Sequence, residues 1–170
     1  MALHPDFPNS PHAILDPSIR WFPADEAFRD TTMDKLMPPL VATLRRKVRE
    51  FRESGYVGAT ETSKSLLNWW FKEAHFLPQA DGTMAEFKYF FAQREALETV
   101  IYLYDVVGAK DKFDLMRFDS SGAVSASLFD ETWQRHVIKM ATGSGKTKVM
   151  SLALAWSYFH KLYEPESELS

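Results

Sequence analysis

The stretch Met140-Ala141-Thr142-Gly143-Ser144-Gly145-Lys146-Thr147 constrains this chain more than any other. A short apolar run, His136-Val137-Ile138-Lys139, precedes it, and a long apolar helical pattern, Lys148 to about Leu162, follows. Strand, glycine loop, Lys-Thr pair and helix, in that order, is the layout of a phosphate-binding loop. Glycines let successive backbone N–H groups turn toward one anion, and the helix N-terminus adds partial positive charge at the same point. In that layout Lys146 reaches the β- and γ-phosphates and the Thr147 hydroxyl coordinates Mg²⁺. The strict pattern G-x-x-x-x-G-K-[ST] has glycine where this chain has Met140.

Composition narrows the setting. The length of 170 residues suits one domain or slightly more, and 45% hydrophobic content suits a packed core rather than a disordered chain. A net charge of −3 means that any DNA contact must come from a local basic face or from outside this stretch. With no cysteine, disulfides, cysteine-zinc sites and thiol catalysis are excluded, and the five histidines show no metal-ligand spacing. The first residues lack the basic and apolar regions of a signal peptide, and no run reaches membrane-span length, so a soluble cytoplasmic protein is expected. The chain ends 23 residues after Thr147. A phosphate-loop ATPase places its Mg²⁺-binding acidic strand and water-positioning groups after the loop and its helix. The expectation is therefore the N-terminal part of a longer protein.

Seven of the nine prolines fall in residues 1–39, interleaved with Phe7, Ile14, Leu15, Trp21 and Phe22. That composition reads as an extended arm that packs on something, or as a disordered leader. Residues 38–54 read as a helix, with Leu40, Leu44, Val48 and Phe51 on one face and Ser54-Gly55 as its stop. Its basic residues, Arg45, Arg46, Lys47, Arg49 and Arg52, suit either DNA phosphates or a solvated face paired with Glu50 and Glu53. A second helix is predicted over roughly 63–76, capped within Thr62-Ser65, with Trp69-Trp70 as core or as a base-stacking pair. Pro78 and Asp81-Gly82 mark a soft boundary. A long helix is predicted over 84–107, with Phe87, Phe90, Phe91, Leu97, Ile101 and Tyr104 as its stripe and Gly108 as its end. Phe113, Leu115, Met116 and Phe118 fit a short helix or a strand, Ser120-Gly122 a turn, and Trp133 packing. The helix after the loop is apolar almost all round, which predicts burial under a sheet, and an isolated chain would expose a wide apolar face.

Three acidic groupings are decoys. Glu73-Ala74-His75 and Asp25-Glu26-Ala27 imitate acidic helicase boxes but precede the loop, and Asp81 with Glu86-Phe87-Lys88 imitates a nuclease pattern on a predicted helix.

Residues 136–147 resemble motif I of the restriction subunit of type III restriction enzymes and of related DEAD/DEAH-type superfamily 2 helicases. Phe90-Phe91-Ala92-Gln93-Arg94-Glu95-Ala96, running into Ile101-Tyr104, resembles the glutamine motif of the same group; Asn9-Ser10-Pro11 and Arg20-Trp21-Phe22 resemble the start of such proteins. The resemblance implies an α/β chain: an N-terminal arm and mostly helical region, 1–78, then the start of a truncated RecA-like P-loop NTPase domain, 79–170. It implies a motor that uses ATP and Mg²⁺ to translocate on double-stranded DNA, with a nuclease domain near the C-terminus and a possible methyltransferase or specificity subunit as partner. Gly143, Ser144 and Gly145 would then form the phosphate cradle, Lys146 and Thr147 the catalytic pair, Thr147 the Mg²⁺ ligand, Gln93 the adenine contact and Arg94 a further nucleotide contact. By its residues alone Gln93 is equally a structural glutamine at a helix edge. Without the acidic motif and a second RecA domain, these 170 residues are expected not to hydrolyse ATP. Two other readings stand beside this one: another phosphate-loop ATPase such as an AAA-type remodeller, and a non-catalytic interaction module.

Overall fold

The structure is a computed structural model; it describes residues 39–118, 137–140 and 142–169, with the side chains of 39–42 and 112 outside the description. The expected N-terminal arm, the Ser120-Gly122 turn, Trp133 and His136 lie outside the described residues. In order, the elements are α1 (Pro39–Glu53), α2 (Glu61–Lys72), β1 (His75–Pro78), β2 (Met84–Phe87), α3 (Phe91–Ile101), a π-helical turn (Tyr102–Val106), α4 (Lys112–Met116) and α5 (Lys146–Tyr163).

The apolar stripe of α1 buries as its spacing predicts: Val48 and Phe51 are in the core and Leu44 packs beside Leu103 and Phe118. The helix stops where expected, by two successive left-handed residues, Gly55 (φ 75°) and Tyr56 (φ 67°). A tyrosine rarely adopts that conformation. Here the reversal carries its ring fully into the core, against Phe51.

The second helix starts and stops earlier than the predicted 63–76. Thr60, not Thr62-Ser65, is its cap: its hydroxyl accepts from Ser63 N at 3.3 Å. Thr60 is itself held, because its N–H and hydroxyl both donate to Asp105 Oδ2 at 3.0 Å. The tandem tryptophans divide: Trp70 is buried, while Trp69 is exposed and lies edge-on to His75.

The predicted helix over 84–107 loses its first turns to a β-hairpin. β1 pairs antiparallel with β2, His75 opposite Phe87 and Pro78 opposite Met84. Asp81-Gly82 is the turn of that hairpin: Asp81 Oδ1 accepts from Thr83 N and Oγ1, and Gly82 takes a positive φ of 81°. Short strands leave little periodicity to read, and the apolar residues at 87, 90 and 91 imitate a helical stripe. α3 proper begins at Phe91, buries Leu97 and Ile101, and ends before Gly108 (φ 59°). Lys112–Met116 is helical, capped by Asp111, which accepts from Phe113 N and Asp114 N.

One core gathers Phe51, Tyr56, Leu67 and Trp70 from before the hairpin with Leu97, Ile101, Leu152 and Trp156 from after it. α5 is buried on one side only. Val149, Leu152, Trp156 and His160 face α3 and α2, while Met150, Leu154, Tyr158 and Leu162 are exposed. The far end of α5 is clasped: His160 bonds Asp105 Oδ1 at 3.2 Å and Ser167 Oγ at 2.7 Å, and Trp156 Nε1 donates to Ser63 Oγ at 2.8 Å.

The strand expected at 136–139 is not seen in its described part, 137–139. Val137–Lys139 have no regular structure, and Val137 is exposed. A parallel strand needs neighbours to accept and donate along both edges. Among the described residues the only sheet is the β1–β2 hairpin. The described fold is thus mostly helical with a small two-stranded sheet. No helix among the described residues is long and apolar enough to cross a membrane.

Candidate nucleotide site

The loop at 142–147 has the backbone that its glycines allow. Gly143 sits at φ 80° and Gly145 at φ 78°, ψ 40°, a left-handed region costly for other residues. Gly145 is the residue from which α5 starts: its carbonyl accepts from Lys148 N at 3.0 Å and Val149 N at 3.4 Å. The first N–H groups of any helix lack an intrahelical acceptor and carry partial positive charge. The opening turn of α5 contains no acidic residue and adds Lys146 and Lys148 to that charge. A Cβ built on Gly143 would meet nothing within 4 Å, so the mouth of the loop is open.

Lys146 folds back over the loop, and its Nζ donates to Met140 O at 3.1 Å. The lysine thereby bridges the two ends of the glycine turn, where an anion held by the loop would meet it. Thr147 is exposed at the helix start, and its carbonyl accepts from Ser151 Oγ at 2.9 Å. Among the described residues no cluster of three or more His, Cys, Asp or Glu could hold a metal.

Gln93 is brought to the loop although 52 residues separate it from Gly145. It is buried, its Oε1 accepts from Phe90 N at 2.9 Å, and its Nε2 donates to Gly145 O at 3.4 Å. A Cβ on Gly145 would lie 2.1 Å from that Nε2. Gln93 therefore works here as the side chain packed beneath the glycine. Each end of its amide keeps one further donor or acceptor position.

Arg94 points away from the loop. Its Nε donates to Glu98 Oε1 at 2.7 Å and a second nitrogen donates to the Tyr56 hydroxyl at 2.9 Å, with the guanidinium 5.3 Å over the Phe71 ring. Glu98, fully buried, also accepts from Arg52 Nε at 2.7 Å and from the Tyr56 hydroxyl at 2.8 Å, and forms an ion pair with the Arg52 guanidinium. Desolvation, seconded by the Glu98 charge, pushes the Tyr56 phenol up to about 12. Burial is the largest single influence on Arg94 and works against its charge, but the Glu98 bond, the Glu98 charge and the Tyr56 hydroxyl together outweigh it and hold the guanidinium above its usual range.

Sequence reasoning did not single out Tyr56, Glu98 or Lys148. Lys148 lies 5.5 Å over the Phe87 ring and ties the hairpin to the start of α5. The basic face of α1 is largely paired within the protein: Arg45 with Glu95, Lys47 with Glu50, Arg49 with Glu53 and Arg52 with Glu98. The pairs with Glu50 and Glu53 are those the sequence suggested; those with Glu95 and Glu98 join distant helices and leave no local signal.

Residues 86–166 match the model of the family described as type III restriction enzyme, res subunit. No curated protein and no solved structure matches the chain.

Proposed function

We propose, from the match of residues 86–166 to the res-subunit family model, that this chain supplies the first half of an ATP site in a restriction-type superfamily 2 motor. The observation that carries the reading is the loop itself: two left-handed glycines opening α5, with Lys146 arched over them. In this site Gly143, Ser144 and Gly145 cradle the phosphates, and Lys146 Nζ leaves Met140 O for the β- and γ-phosphates. Thr147 Oγ takes one Mg²⁺ position, and Mg²⁺ when bound supplies charge neutralisation between the phosphates. Gln93 supports the loop from beneath and has one donor and one acceptor position left for an adenine edge. Arg94 serves the Glu98 cluster in this arrangement. In this reading the motor couples ATP hydrolysis to movement on double-stranded DNA, with a methyltransferase or specificity subunit as partner. In this reading the chain binds nucleotide without turning it over.

A thermal melt tests this. Mg-ATP at one hundred times its dissociation constant adds about 2.7 kcal/mol to stability by mass action. The expected result is a rise in melting temperature for the native chain, none for Lys146→Ala, and no phosphate release from either. Equal shifts in both proteins, or measurable turnover, would overturn the reading.

A further inference from the structure

The matched family segment begins at residue 86, yet the residues that grip its first helix come from before it. Two ion pairs join α1 to α3: Arg45 to Glu95 at 2.5 Å, and Arg52 to Glu98. The Arg52 guanidinium also lies 5.0 Å over the ring of Phe91, the first residue of α3. Tyr56, just past the end of α1, donates to Glu98 and accepts from Arg94. These contacts run along α3 from Phe91 through Arg94 and Glu95 to Glu98. The apolar core holds the helix from Leu97 to Ile101. Between Phe91 and Glu95 sits Gln93, whose amide is pressed under Gly145.

We propose that Arg52 and Tyr56 are positioning residues for the phosphate loop: by fixing the stretch of α3 from Phe91 to Glu98 that carries Gln93, they hold Gln93 against Gly145. The helical segment 39–60 is then part of the loop's support rather than a separate module. The physical reason lies in what each contact restrains. The π-turn and core side chains set where α3 ends, but a helix anchored at one end swings at the other. Glu98 is a buried carboxylate that must keep its cations. Neutralising one of them frees the turn bearing Gln93 and removes the floor beneath the left-handed glycine.

Hydrogen exchange on the ligand-free chain reads this directly. Hydrogen bonds to charged groups exceed ordinary ones, so losing the Arg52 contacts corresponds to about tenfold or more in a local opening equilibrium. In Arg52→Met, amides of 142–149 should exchange about tenfold faster while those of α2 (61–72) keep their native rates, and Arg52→Lys should recover part of the protection. In a Gln93→Ala background, Arg52→Met should add nothing further at the loop. Unchanged loop rates, an equal acceleration of α2 and the loop, or an undiminished Arg52→Met effect without Gln93 would overturn the proposal. A parallel Mg-ADP titration separates this claim from the nucleotide reading on which its purpose rests. Faster loop exchange with weakened binding supports both; faster loop exchange in a chain that binds no Mg-ADP keeps the support network and removes the nucleotide reading.

Discussion

Replacing Gly145 by alanine tests the geometry of the loop, because two costs act there and a second mutation separates them. The first is backbone strain. At φ 78° and ψ 40° an alanine sits in the left-handed region, at a cost of roughly 1–2 kcal/mol. The second is steric. The new Cβ would stand 2.1 Å from Gln93 Nε2, so the amide must swing away and give up its bond to Gly145 O. Gln93 is 5% exposed and also bonded to Phe90 N, so that swing takes place inside the packed interior. Losing one such bond inside the protein adds about 1 kcal/mol. Gly145→Ala should therefore cost roughly 2–3 kcal/mol in the native background but only 1–2 kcal/mol in Gln93→Ala, where the obstructing amide is gone. At this chain length each kcal/mol moves the melting temperature by about 2–4 °C, so calorimetry on the four proteins of the cycle resolves the difference. An equal cost in both backgrounds would refute the placement of Gln93 beneath the loop.

Other expectations follow from the same contacts. Leu97→Ala, fully buried between the two halves of the core, should lose about 2–5 kcal/mol in urea unfolding. Thr60→Ala removes the cap of α2 and one of the two Thr60 donors to Asp105, and should cost about 1–2 kcal/mol by the same assay. The fully buried Tyr56 phenol ionises near 12 in the folded protein and near 10 in the unfolded chain, so the unfolded chain loses its proton first as pH rises. Its stabilisation is complete below pH 10 and falls by about 2.7 kcal/mol as pH climbs from 10 through 12. Urea midpoints over that range should decline more steeply for the native chain than for Tyr56→Phe, and parallel declines would contradict the burial of that hydroxyl.

What the sequence made legible was local. The stripe Leu44, Val48, Phe51 announced α1, and the buried stripe of α5 at Val149, Leu152 and Trp156 followed its spacing. The glycines at 143 and 145 were readable because only a glycine takes those backbone angles without strain. What failed depended on partners. The hairpin at 75–87 was hidden because four-residue strands carry little alternation, and Phe87, Phe90 and Phe91 supplied a false helical period. The expected strand before the loop had the right residues but has no neighbouring strand among those described. The Glu98 cluster was invisible for a different reason. Arg52 and Glu98 are separated by 46 residues, and a glutamate within a helical pattern gives no sign that it is the one that will be buried. Arg94 stands beside Gln93 in sequence, but one residue along a helix turns a side chain by about 100°, enough to send it to Glu98 instead of the loop.

The central claim is that the loop at 142–147 is built to hold the phosphates of a Mg²⁺-nucleotide with Lys146 closing over them. Isothermal titration of the chain with Mg-ATP, alongside Lys146→Ala, tests it most directly. The account predicts a single-site isotherm that disappears in Lys146→Ala while circular dichroism of the two proteins stays the same. A native chain that gives no isotherm, or a Lys146→Ala protein that binds as well as the native one, would contradict it.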